Sequence, residues 1–319
     1  MKFGSPRVLT SRIALPSGLV GNIPFDSGLL QAPDREAFAV HEIRFTADLG
    51  DTAYQGQALY QPESFFPSNY QPNDNTDAGP FVRVEMRVGP YRICEHVPMW
   101  ALAASRDFCL EGANWRLPLT KPLFIPPGMG FFATAQRPGM TVAGVLSEPW
   151  PFVNHTVFVT CSLVGRVVTG GFPRTAVVPY IDAYAPAAAV QGAAFMSPQD
   201  TLKNKLSAPL PLLYGLGRVA HLRVAPPVAL PNLLSFSCAD AHLTMRCSLS
   251  DNYTPIVVAD SEFDVAFDPC TRVLNLAGVT LPPGGRLVFK SEAPVYTGAE
   301  VAQAWAPVVS IVGERREAV

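Results

Sequence analysis

The chain has 319 residues, 24 basic and 26 acidic, for a formal net charge of -2, so no global field draws it to nucleic acid or to an anionic membrane. Charged residues make up only 16% while hydrophobic ones reach 48%, against about 25% charged in an average soluble domain. Much of the surface is therefore left without charge, which suits a subunit that buries surface against other copies and does not suit a dedicated genome-binding protein.

The length fits two domains, each long enough to bury its own core. The 32 prolines and 24 glycines fall between short apolar runs, so they read as turns between strands. Cys94, Cys109, Cys161, Cys238, Cys247 and Cys270 never approach CxxC spacing, which predicts buried free thiols made in a reducing compartment. No run of 18 or more uncharged apolar residues occurs, and the first residues lack the apolar segment of a signal peptide, so the expectation is a cytosolically made chain that does not span a membrane.

In chain order, residues 1–35 are rich in Gly, Pro and Ser without a sustained period, and read as an extended N-terminal arm. Residues 36–168 read as a first β-sandwich, interrupted at 51–80 by a loop insertion carrying Tyr54, Tyr60, Phe65, Phe66 and Tyr70. Aromatic side chains anchor interfaces, so docking against a neighbour is the expectation there, with carbohydrate binding as the alternative. Val82, Val84, Met86 and Val88 alternate with Arg83, Glu85 and Arg87, and the period recurs at Val157, Val159, Cys161 and Leu163; each predicts a strand with one buried and one wet face. Residues 169–215 read as a connector. Within it Ala176–Met196 is apolar but broken by Pro179, Asp182 and Pro186, and Ser197-Pro198-Gln199-Asp200 predicts the start of a short helix with Leu202 and Leu206 on one face. Residues 216–319 read as the second sandwich, with Phe263, Val265 and Phe267 alternating against Glu262, Asp264, Ala266 and Asp268 as a further strand.

The two halves resemble each other internally. Pro127 in Ile125-Pro-Pro-Gly128 aligns with Pro283 in Leu281-Pro-Pro-Gly284 at an offset of 156, and Leu163-Val164-Gly165 aligns with Ile311-Val312-Gly313 at 148. A third pair, Ile43-Arg44-Phe45 and Leu222-Arg223-Val224, is offset by 179. Together these marks suggest duplication.

No chemical motif survives its context. Gly215-Leu-Gly217-Arg-Val-Ala220 spells a dinucleotide fingerprint, but the prolines after it deny the required helix. Asn73–Asp77 with Gly79 lacks the glycine position and the bidentate glutamate of a calcium hand. Asp260, Glu262 and Asp264 lie at strand spacing, so at least Glu262 and Asp264 would project from one face as the carboxylate pair that glycosidases or metal sites require; the wet face of a strand is the favoured reading. His41, His96, His155, His221 and His242 stand far apart, no GxSxG elbow occurs, and the sequons at Asn154 and Asn252 have no secretory context. The expectation is a non-enzymatic protein with no catalytic, cofactor-binding or metal residues.

The phrases Val82-Arg-Val-Glu-Met-Arg-Val-Gly-Pro-Tyr91, Val97-Pro-Met-Trp100 and Trp115–Gly128 resemble those of double jelly-roll major capsid proteins of tailless icosahedral bacteriophages, which often contain a membrane. The resemblance implies an all-β chain of two tandem jelly rolls, with three chains forming a pseudo-hexagonal homotrimer in an icosahedral shell. It further implies contacts with neighbouring capsomers, with penton and minor capsid proteins, and with an internal membrane or its proteins, without sequence-specific nucleic acid binding. Its place would be the virion, after synthesis in the host cytoplasm. The competing reading is a phage receptor-binding or carbohydrate-binding β-sandwich protein.

Overall fold

The computed structural model describes residues 2–18, 20–31, 36–49, 82–102, 114–142, 145–147, 156–171, 173–190, 192–224, 236–240, 245–251, 257–268, 271–293 and 302–318. The 51–80 loop, the calcium-like segment, the sequon asparagines Asn154 and Asn252, His155, His242, Cys109 and Cys270 lie outside them.

The first half comprises β1 (Lys2–Leu15), β2 (Val20–Pro24), β3 (Ala37–Leu49), β4 (Arg83–Val88), β5 (Tyr91–Pro98), β6 (Asn114–Ile125), β7 (Phe131–Arg137), the small hairpin β8 (Met140–Val142) and β9 (Val145–Ser147), and β10 (Val157–Thr169). One sheet runs β1-β10-β3-β6 and the other β2-β7-β4-β5. All pairings are antiparallel. Numbering these eight strands one to eight along the chain, the sheets read 1-8-3-6 and 2-7-4-5, the strand order of a jelly roll. Alternation builds the core between them: Val84, Met86 and Val88 of β4, Phe131, Ala133 and Ala135 of β7, and Val157, Val159, Cys161 and Leu163 of β10 are buried in one cluster.

The second half comprises β11 (Thr175–Tyr184), β12 (Ala189–Val190), β13 (Ala194–Met196), β14 (Leu210–Val224), β15 (Phe236–Asp240), β16 (Arg246–Asp251), β17 (Val258–Glu262), α1 (Phe263–Ala266), β18 (Val273–Asn275), β19 (Thr280–Leu281), β20 (Leu287–Glu292) and β21 (Ala302–Ala318). Its sheets contain β11-β21-β14, with β18 also paired to β14, and β13-β20-β16-β17. With β11, β13, β14, β16, β17, β18, β20 and β21 as strands one to eight, the order is again 1-8-3-6 and 2-7-4-5. The chain is thus an all-β protein of two tandem jelly rolls.

The repeated marks fall at equivalent places. Pro126–Met129 and Pro282–Gly285 are both turns closed by a backbone bond, Met129 N–H to Pro126 O at 3.1 Å and Gly285 N–H to Pro282 O at 2.8 Å. Gly128 and Gly284 adopt φ of 78° and 75°, the third-position glycine of a type II turn. Gly165 on β10 faces Val40 beside a bulge at His41, and Gly313 on β21 faces Leu212 beside a bulge at Leu213. A Cβ on Gly165 would lie 2.2 Å from Ala39 O, and one on Gly313 2.7 Å from Pro211 O; both strands cross a bulge that admits no side chain. The third pair does not hold. Register from the glycines sets Val40 against Leu212, so Ile43 corresponds to Gly215, and Leu222 lies seven residues further along the same strand. The apolar-Arg-apolar match was a chance product of strand alternation.

Three further expectations are corrected. Residues 1–35, expected as an arm, hold β1 and β2, paired along β10 and β7; β1 is an edge strand exposed over most of its length, so its sequence carries little buried periodicity to read. The apolar stretch Ala176–Met196 is not a connector but contributes the first two strands of the second jelly roll. The helix expected after Ser197 is absent: Ser197 Oγ accepts from Phe289 N–H, Asp182 accepts from Lys203 N–H, and Tyr180 Oη from Lys205 N–H. Leu202 has φ of 50°, which breaks a right-handed helix, and the donors that would sustain one are bonded to the sheets. The link between the halves shrinks to the residues between Thr169 and Thr175.

The last correction concerns Phe263–Phe267. Period two and period four both place Phe263 and Phe267 on one side; Val265, 70% exposed, decides for the helical turn α1, closed by Phe267 N–H to Phe263 O at 2.8 Å. Phe267 then packs over Gly217, where a Cβ would stand 2.5 Å from its ring. The glycines of the false dinucleotide motif make room for an aromatic side chain.

Candidate assembly surface

The halves meet asymmetrically. After β5 the first half makes a 3-10 turn, Met99–Leu102, all four residues buried. This turn packs on β14 and β21, while β5 and β6 pack on β11. The receiving surface is the outer face of the second half's β11-β21-β14 sheet, where Val178, Ile181, Ala220, Ala304, Ala306, Val308 and Val312 join the first half's core cluster. Their neighbours Tyr180, Tyr184, Val219, Trp305, Val309 and Ile311 point inward to the second core. That sheet is buried on both faces, which explains the continuous apolar run of β21.

Polar groups fix the contact at its centre and its rim. Ser310 Oγ donates to Ala101 O at 3.1 Å, Arg218 lies 5.5 Å from the Trp100 ring centroid, and Arg315 donates to Arg92 O at 2.8 Å beneath the Tyr91 ring. Tyr91 Oη donates to Ala318 O at 2.5 Å and Thr120 to Glu314. Burial lowers the Arg315 pKa, with Glu317 opposing. Beside this seam lies a cleft of about 560 Å³ lined by Lys121, Leu206, Pro209, Arg316 and Glu317 among others. Its charges are of both signs, with Glu317 holding Arg315 at 3.1 Å and Glu314 accepting from Thr120.

Among the described residues, no element packs on the corresponding face of the first half as the 99–102 turn packs on β14 and β21. Register places Phe158, Thr160, Ser162 and Val164 of β10 where Ala306, Val308, Ser310 and Val312 stand on β21, and Val8 of β1 where Ile181 stands on β11. Val8 is 58% exposed and Ile181 2%. Arg12 lies 4.3 Å from the Phe158 ring centroid, and Glu42 holds Arg44 at 2.7 Å and Arg116 at 3.7 Å. Thr10 and Ser162 share a hydroxyl bond of 3.1 Å.

The groups weighed from sequence do not converge. Asp260 on β17 pairs with the exposed Arg246, and Asp264 on α1 pairs with the buried Arg272. His221 stacks on Trp305 with centroids 4.1 Å apart, His96 bonds Gln136, and His41 lies near Phe3. Cys94, Cys161 and Cys247 are free and buried, and burial raises each thiol above its ordinary pKa, so they stay protonated and unreactive. Among the described residues no three His, Cys, Asp or Glu side chains are grouped to hold a metal, and no helix is long and apolar enough to cross a membrane. The residues missed from sequence are Trp100, Ala101 and Ser310. The offset of 148 that aligned the glycines also aligns Ser310 with Ser162 three residues earlier, and that was the available signal.

No family model matches the chain, and no curated protein matches its sequence. Among solved structures it is similar to the major capsid protein P2 of bacteriophage PM2, at 6% identity and a TM-score of 0.36, covering 95% of this chain and 98% of that one. It is also similar to infectious bursal disease virus VP2, at 11% identity and 0.21, covering 98% and 72%, and to a triple jelly-roll protein of an archaeal virus, at 10% and 0.18, covering 95% and 59%. Superpositions this loose align no individual residues, and the jelly-roll assignment rests on the strand order of this chain.

Proposed function

We propose that this chain is a structural subunit of a virus shell, a major capsid protein whose work is self-association. The observation that carries the reading is the asymmetric seam: two jelly rolls of the same strand order meet with the turn after the fifth strand of one against the outer sheet face of the other. A contact joining unlike surfaces of like units repeats around a ring if its rotation closes. Three chains of two units each would make a ring of six, the pseudo-hexagonal homotrimer that tiles an icosahedral lattice.

In this reading the low charge and the apolar strand faces serve interfaces between capsomers. Penton and minor capsid proteins, and an internal membrane or its proteins, complete the proposed partners, and the virion is the proposed location. No residue performs chemistry. Native mass measurement with negative-stain imaging of purified protein tests this. The expected result is a three-copy particle with a hexagonal outline, or shells built of it; a stable single-copy particle that binds glycans would establish the receptor-binding alternative instead.

A further inference from the structure

We infer that the open outer face of the first half's β1-β10-β3-β6 sheet receives the α1 turn of a second copy of this chain, with Val265 of that copy seated over Ser162. The inference rests on the ring-forming reading above and deepens it by naming both surfaces of the contact between chains.

The contact inside the chain supplies the template. There, the turn that follows the fifth strand of the first jelly roll, Met99–Leu102, sits on the outer face of the second, and Ser310 bonds Ala101 O. The second jelly roll has a turn at the same place, α1, which follows β17 directly. Counting from the end of each fifth strand, Met99 corresponds to Phe263 and Ala101 to Val265. The first residue of each turn is buried, at 0% exposure in both cases, whereas Ala101 is covered at 1% and Val265 is exposed at 70%. The two third residues differ in one respect that matters: a jelly roll already covers the first.

The receiving face matches in register. Ser162 stands where Ser310 stands, Val164 where Val312 stands, and Val8, exposed at 58%, where the covered Ile181 stands. Val8 beside Val164 on one face and Ile181 beside Val312 on the other thus flank a serine hydroxyl, and on the first no described element packs over it as the 99–102 turn packs on β21. Another copy of the first half would instead bring the turn 99–102, which is already buried within its own chain.

Variants that each gain one cysteine, Ser162→Cys and Val265→Cys, co-expressed and treated with a short bis-maleimide, test the contact. Cys94, Cys161 and Cys247 are buried, and each variant treated alone is the control for the remaining thiols. The expected result is a cross-linked pair of chains in the mixture and not in either variant alone. A multi-copy particle by native mass with no such cross-link would overturn this inference and leave the assembly reading standing; a single-copy particle would overturn both. Val265→Asp gives an independent readout. It should weaken association by about tenfold or more while leaving the far-ultraviolet spectrum and melting of the separated chain unchanged, and unchanged association would overturn the inference.

Discussion

The outer faces of the two equivalent sheets share one backbone and differ in side chains. On β21 the outward positions are Ala306, Val308, Ser310 and Val312, sealed against the first half; on β10 they are Phe158, Thr160, Ser162 and Val164, half-buried and bordered by Arg12, Arg44 and Arg116. The difference teaches that strand order sets where a surface lies, whereas the residues of every second position set whether it is permanently closed or left for a separable partner.

The strongest way to break this comparison is to place one charge on each face. Val308→Asp should cost about 3–5 kcal/mol of folding stability, because the carboxylate is buried without a partner. Thr160→Asp, at the corresponding open position, should change it by less than about 1 kcal/mol. Urea unfolding of the two variants reads both, and equal losses would mean that the faces are not different in kind.

A smaller contrast lies at the two bulges. Gly165→Ala and Gly313→Ala should each cost about 2–4 kcal/mol through overpacking, with Gly165 the worse because its added Cβ would approach a carbonyl to 2.2 Å against 2.7 Å. Thermal melts of the pair give the order. Smaller again is Arg315→Ala at the rim of the seam, expected to cost about 1–2 kcal/mol from the lost carbonyl bond and ring contact. Tyr91→Phe should cost less in Arg315→Ala than in the parent, if the two act together.

The smallest effect concerns Asp182, which occupies the place of Leu9 in the first half. Burial raises its pKa more than the bonds from Lys205 and Lys203 lower it. The folded chain therefore holds this proton more tightly than the unfolded one, so stability is greatest below the ordinary carboxylate range and falls as pH rises through the raised value. Asp182→Asn should flatten that fall, measured as melting temperature between about pH 4 and about pH 7; Leu9, having no proton to lose, predicts no such slope from the first half.

Sequence reasoning reached the all-β class, the repeated Pro-Pro-Gly turns and the strands β4 and β10, because alternation and turn chemistry are local. It failed where locality fails. The edge strand β1 has too little buried surface to show a period, Ser197–Leu206 has helical spelling but its donors are bonded to strands distant in sequence, and Phe263–Phe267 satisfies two periods at once. The assembly surface was half legible: the offset of 148 contained Ser162 and Ser310, but only the pairing of strands reveals that both point outward.

The position of β21 in the chain sets an order of events during synthesis. The first jelly roll holds all eight of its strands once Thr169 has emerged, yet Met99, Trp100, Ala101 and Leu102 wait for a surface that includes Val308 and Val312. Until that late strand arrives, a nascent chain presents a tryptophan-bearing apolar knob beside a finished sandwich, at the stage when premature pairing with another ribosome's product is the main hazard. Covalent fusion answers the hazard by keeping the correct partner tethered a few residues away, at an effective concentration that free subunits in a dilute pool do not match.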